Sequence, residues 1–154
     1  MIKVDKSKTC AVTGHRNLGF DFDKSLLKAS VLEVINKGVD TFLVGMAVGF
    51  DSVCFKVLED IRKQKNIKII ACIPCKNQDI NFTQSQKIEY KKMLNSADEQ
   101  VLVSEEYTPG CMFKRNRFMV DNSNYLICYL RSSSGGTIYT VNYAQKLGKN
   151  IIKL

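Results

Sequence analysis

With 154 residues, 45% of them hydrophobic and 25% charged, the chain has the composition of one folded domain, 1–154, and wholesale disorder is excluded. The formal charge of +8 favours anionic partners without naming one: the lysines are scattered (Lys6, Lys24, Lys37, Lys56, Lys91, Lys146), and basic charge concentrates only at Lys114-Arg115-Asn116-Arg117. No apolar run approaches the roughly 20 residues of a membrane span, and the polar stretch 1–9 is not a signal peptide, so a soluble, cytoplasmic protein with no membrane partner is expected.

Short β-type runs then alternate with helical stretches. Residues 9–13 read as a first strand. Asp21 or Asp23 is placed to cap a helix carrying Leu27, Val31, Val34 and Ile35 on one face, and Gly38 to end it. A second strand follows over 41–44. Asp51 or Ser52 is expected to cap the next helix, whose stripe is Cys54, Val57, Leu58 and Ile61. The third strand, 67–73, stops at Pro74. A helix over 85–94 is expected to bury Ile88 and Leu94. A fourth strand covers 100–103, and a loop around Pro109-Gly110 leads to a short helix over 112–120. The fifth strand is 125–130. The last helix, 137–147, turns Val141, Ala144 and Leu147 toward the sheet, Gly148 ends it, and 151–152 make a final short strand.

Strict alternation of this kind implies a Rossmann-like three-layer α/β fold, with a mostly parallel sheet flanked by helices. The strands are apolar runs rather than clean alternations, which suits burial on both faces. Four of the six cysteines (Cys10, Cys54, Cys72, Cys128) fall within apolar runs and read as reduced core side chains. Cys72 and Cys75 have the spacing of redox and zinc pairs. The chain holds no second such pair and a single histidine, His15, so the pair is read as structural and no metal or other cofactor is expected.

In open parallel sheets ligands bind beyond the C-terminal strand ends. After the first strand come Gly14, His15 and Arg16. Arg16 is able to clamp a phosphate, and His15 to donate to an anion, a base or a sugar. After the second come Gly45 and Gly49, then Asp51. After the fourth come Arg115, Asn116 and Arg117, with one arginine expected in the pocket and the other in solvent. After the fifth come Ser134, Gly135, Gly136 and Thr137, where glycines admit a close anion and a helix N-terminus offers free N–H groups. Each motif also has a plain reading: a turn, a cap, a flexible loop.

Taken together, TGHR at 13–16, GMAVGFD at 45–51, IPC at 73–75, KRNRFMVDNSNYLI at 114–127 and GGT at 135–137 resemble the SLOG superfamily, and within it the small TGHR-bearing, YpsA-like branch. The resemblance implies a Rossmann-like domain that binds nucleotides or nucleotide-derived ligands, ADP-ribose derivatives among them, often as a homo-oligomer. By position it implies a pocket of Gly14, His15 and Arg16; Gly45, Gly49 and Asp51; Arg115 and Asn116; and Gly135, Gly136 and Thr137. The LOG-type phosphoribohydrolases of this superfamily carry PGGxGTxxE, whose glutamate works on the ribose. Here Ile138-Tyr139-Thr140 follow the GGT, without that glutamate.

Non-catalytic binding, as a sensor or by sequestration of a nucleotide signal, is therefore the expected function. Two alternatives stand beside it. One is a nucleotide N-glycosidase using Asp51 or Asp121. The other is a DNA-binding accessory protein of the DprA kind, less favoured because the chain has no Trp and no basic–aromatic interleaving. Tyr107, Met112, Phe113 and Phe118 offer apolar bulk for a subunit interface.

Overall fold

The computed structural model describes residues 2–154. Six strands alternate with five helices: β1 (Thr9–Gly14), α1 (Lys24–Asn36), β2 (Thr41–Val44), α2 (Phe50–Arg62), β3 (Lys68–Ile73), α3 (Gln84–Ser96), β4 (Glu99–Leu102), α4 (Cys111–Asp121), β5 (Tyr125–Tyr129), α5 (Gly136–Lys146) and β6 (Asn150–Lys153). All neighbouring strands pair in parallel, in the order β4-β3-β2-β1-β5-β6. Ala11 of β1 lies opposite Leu43 on one side and Leu126 on the other.

The apolar runs of the strands divide, residue by residue, between two cores. Cys10, Val12, Phe42, Val44, Ile69, Ala71, Ile127 and Tyr129 face α1, α2 and α3. Ala11, Leu43, Ile70, Cys72, Leu126 and Cys128 face α4 and α5. The expected three-layer Rossmann-like architecture is the observed one.

Helix starts fall into two kinds. The Asp23 carboxylate accepts the Ser25 and Leu26 amides at the start of α1, and Thr83 with Gln86 forms a capping box at α3. The helices α2, α4 and α5 begin instead after Gly49, Gly110 and Gly135, and no side chain caps them. Asp51 and Ser52 are thus not caps, contrary to expectation, because α2 starts earlier, at Phe50. Two core assignments also change. Ile88 is 49% exposed, and α3 turns Tyr90 and Met93 inward instead. Leu147 lies just past α5 and is exposed. All six cysteines are free and buried, including Cys75 and Cys111.

No helix among the described residues is long and apolar enough to cross a membrane. No three His, Cys, Asp or Glu side chains among them gather where they could hold a metal ion.

Candidate functional site

The chain leaves β1 for α1 on one face of the sheet and leaves β5 for α5 on the other. Loops that diverge in this way open a crevice at the carboxyl edge of the two adjacent strands. A cleft of about 470 Å³ lies there. Nine of the twelve expected site residues line it: Gly14, His15 and Arg16 from the end of β1, Gly45 and Asp51 from the β2–α2 turn, Arg115 and Asn116 from α4, and Gly136 and Thr137 from the start of α5. Gly49 lines an adjoining cleft instead. Ser134 and Gly135 lie on the exposed β5–α5 loop, outside the cleft lining.

The two arginines of the cleft differ in kind. Arg16 is exposed. Arg115 is only 5% exposed and fixed. Its Nη1 donates to the Gly45 carbonyl and, at 3.1 Å, to that of Cys72, while Nε donates to Asn116 Oδ1 at 2.8 Å. Its Nη2 meets the Met112 sulfur, a weak acceptor, at 3.8 Å, which leaves spare donor capacity at the cleft floor. Arg117 turns the other way and donates to the Tyr139 hydroxyl at 2.6 Å. One arginine of the pair faces the cleft, as expected, but the other is half-buried rather than free in solvent.

Asp51 is the acid that lines the cleft among the described residues. It is buried and accepts the Ala47 amide at 3.0 Å. Burial pushes its carboxyl up to about 6, although Arg115 and the Ala47 amide favour the charged form. Asp121, the other acid considered for catalysis, accepts the Tyr143 hydroxyl at 2.6 Å and does not line the cleft.

His15 lines the cleft with one nitrogen already engaged. The Arg131 and Ser132 amides donate to its Nε2 at 2.7 and 3.2 Å, so the ring ties down the start of the β5–α5 loop and is neutral. Partial burial, then the Arg131 cation, holds it below the usual histidine range. Arg131 was not anticipated as part of this network. It pairs with Asp21 at 2.7 Å and lies 4.5 Å above the Tyr129 ring, while the Tyr129 hydroxyl donates to Asp21 at 3.0 Å.

The aromatic wall of the cleft was also missed as such. Tyr107, Met112 and Phe113, expected at a subunit interface, line the cleft, and Phe113 packs on Tyr139 with ring centroids 4.4 Å apart. Their position directly before the KRNR motif was the available signal. Phe118, grouped with them, packs against the core beneath α4 and α5. The cleft therefore combines an exposed guanidinium, a buried, hydrogen-bonded one, the uncapped amides of α5 and an aromatic face. These are the elements that hold a phosphate and stack a planar ring.

A family model described as the YspA SLOG family (YpsA) matches residues 6–151. The SPbeta prophage-derived protein YoqJ of Bacillus subtilis (strain 168) is 35% identical over 149 residues, covering 85% of this chain and 86% of that protein. YpsA of the same organism is 25% identical over 153 residues, covering 90% and 85%. Among solved structures, DNA processing protein A from Streptococcus pneumoniae superposes with a TM-score of 0.65 at 20% identity, and that from Helicobacter pylori, solved for its single-stranded DNA binding mode, with 0.67 at 19%. Each match covers 96% of this chain but only 50% and 65% of the DprA chains, with which this one shares its fold. From the TGHR turn to the GGT helix start, the chain belongs to the YspA SLOG family.

Proposed function

We propose that the chain binds a nucleotide or nucleotide-derived anion in the cleft between β1 and β5, and holds it without chemistry, as a sensor or by sequestration. One observation carries the reading. Arg16, Arg115 and the uncapped start of α5 reach a single cleft from segments far apart in sequence. Three positive elements brought together in this way suit a phosphate group, and the Tyr107 and Phe113 faces suit a base. Binding without turnover fits the acid inventory. Asp51, buried at the cleft lining, accepts the Ala47 amide, and no glutamate follows the GGT.

Purified protein, denatured and examined by mass spectrometry, is expected to release an unmodified nucleotide-type molecule. A thermal-shift panel of nucleoside phosphates and ADP-ribose is expected to raise its melting temperature. Free base appearing during incubation with nucleoside monophosphates would transfer the proposal to N-glycosidic cleavage, with Asp51 as the candidate acid. The DprA fold supports a second reading, single-stranded nucleic acid along the same edge. It requires affinity that falls steeply with salt and depends on Arg115 or Arg117.

A further inference from the structure

Four of the six cysteines belong to the two apolar cores, Cys10 and Cys54 to one, Cys72 and Cys128 to the other. Cys75 and Cys111 belong to neither, although each is only 1% exposed. The spacing in sequence pairs Cys75 with Cys72, but the fold pairs it with Cys111: the two side chains are hydrogen-bonded to each other.

The backbone brings them together. Beyond the ends of β3 and β4 the two segments stay zipped. The Val103 amide donates to the Ile73 carbonyl at 2.8 Å, that of Ser104 to Pro74 at 3.1 Å, and that of Lys76 to Glu105 at 3.4 Å, so Cys75 lies within this ladder. The connection then turns, the Cys111 amide donating to the Thr108 carbonyl at 3.1 Å, and Cys111 becomes the first residue of α4. Arg115, one turn on, fastens α4 to the same place by donating to the Cys72 carbonyl at 3.1 Å.

These surroundings differ from those of a thiol that fills a core. Exposed residues adjoin both: Lys76 and Asn77 follow Cys75, and Pro109 and Gly110 precede Cys111. The first amides of α4 are uncapped, and with Arg115 they place positive charge beside Cys111, an environment that favours attack by a thiolate. Burial, above all, holds the Cys75 thiol above its usual range, which makes it the slower of the two to react.

We infer that Cys75 and Cys111 form a reversible disulfide that clamps the β4–α4 connection, and with it the Tyr107 and Gly110 wall of the cleft, onto the end of β3. The co-reactant is a low-molecular-weight disulfide, reaching the pair when the exposed segment 105–110 lifts. The Cys111 thiolate attacks one of its sulfurs, forming a mixed disulfide and expelling one small thiolate. The Cys75 thiolate then attacks the Cys111 sulfur, forms the Cys75–Cys111 bond and expels the second. The two cysteines lose two electrons, the small disulfide gains them, and the two thiol protons pass to the expelled thiolates.

The test equilibrates the unaltered chain with glutathione disulfide, quenches in acid, and maps the alkylated peptides by mass spectrometry. Two of the six thiols should be lost to one intramolecular Cys75–Cys111 link, and reduced glutathione should restore them. In the linked form, hydrogen exchange over 105–110 should slow by at least about tenfold, as for a cross-link that restrains a loop. Cys75→Ser should trap one glutathione on Cys111. Six intact thiols, links that join other cysteines or two chains, or unchanged exchange over 105–110 in the linked form would each overturn the inference. Mapping of the unaltered chain decides it if Cys75→Ser fails to fold, and every arm is read without a nucleotide, so the reading of the cleft stands or falls separately.

Discussion

Replacing Asp51 by asparagine removes a buried charge while keeping the side chain's shape and an oxygen for the Ala47 amide. Burial raises the carboxyl from 3.8 to about 6 in the folded chain, so desolvation outweighs the attraction of Arg115. A carboxyl raised in this way favours folding while protonated. Its contribution is complete below about pH 4 and is lost as pH rises through about 6. A shift of roughly two units, at about 1.36 kcal/mol each, amounts to about 3 kcal/mol. The assay is urea unfolding of both proteins from pH 4 to pH 8. His15 titrates in the same range with the opposite sign, so the informative quantity is the difference between the two proteins at each pH. At pH 4 they should agree within about 1 kcal/mol, and above pH 7 the asparagine variant should be the more stable by up to about 3 kcal/mol. A difference that stays constant across the range would refute the reasoning. A variant weaker by several kcal/mol at pH 8 would do the same, because the Arg115–Asp51 attraction would then dominate burial.

Arg16→Ala should leave the melting temperature unchanged, since the side chain is exposed, yet weaken ADP binding by about tenfold to a hundredfold, as expected for a lost charge-assisted contact of about 1.5–3 kcal/mol; calorimetry reads both. His15 is held below 6.5, so its contribution is present above about 6.5 and lost as pH falls through the lower folded value. Protection of the Arg131 and Ser132 amides from hydrogen exchange should accordingly be weaker at pH 5 than at pH 7.5, and low at both in His15→Ala. Gly49→Ala meets backbone at a φ of 85 and should cost more than about 2 kcal/mol in urea unfolding, whereas Gly38→Ala, at φ 106 with open space around it, should cost only the backbone strain.

Elements whose periodicity is set by burial on one face or two were legible in the sequence, and so β1, β2 and α1 fall where the pattern places them. The inward face of α3 was not. Ile88 is the more apolar choice, but the Tyr90 hydroxyl donates to Gln78 Oε1 at 3.0 Å, and Gln78 Nε2 donates to the Gly45 carbonyl at 2.9 Å. That chain of contacts runs from α3 to the β2–α2 turn, and no local window contains it. The strand-end rule collected most of the cleft because parallel topology fixes where loops emerge. It missed Tyr107, on the β4–α4 connection, and Phe113, in the first turn of α4, because their place beside the cleft depends on α4 packing against α5.

The glycines of the site motifs answer two different physical demands, and a substitution separates them. A Cβ on Gly14 would enter the Phe50 ring, one on Gly45 would lie 2.8 Å from the Arg115 Cζ, and one on Gly49 would strike the Arg16 carbonyl. Packing requires these three whether or not an anion ever binds, so they give no support to a phosphate site. Gly136 is different. A Cβ there has Asn116 Nδ2 at 3.8 Å and nothing nearer, and its backbone is the first turn of α5. Gly136→Ala should therefore fold as well as the unaltered chain, or better by up to about 1 kcal/mol, because alanine loses less freedom in a helix. The same methyl group would stand in the cleft, over the amides that the proposed phosphate approaches. Weaker ADP binding at undiminished stability is the expected result. Full affinity in Gly136→Ala would mean that the anion does not rest on the start of α5, and Arg16 with Arg115 would then have to account for its recognition.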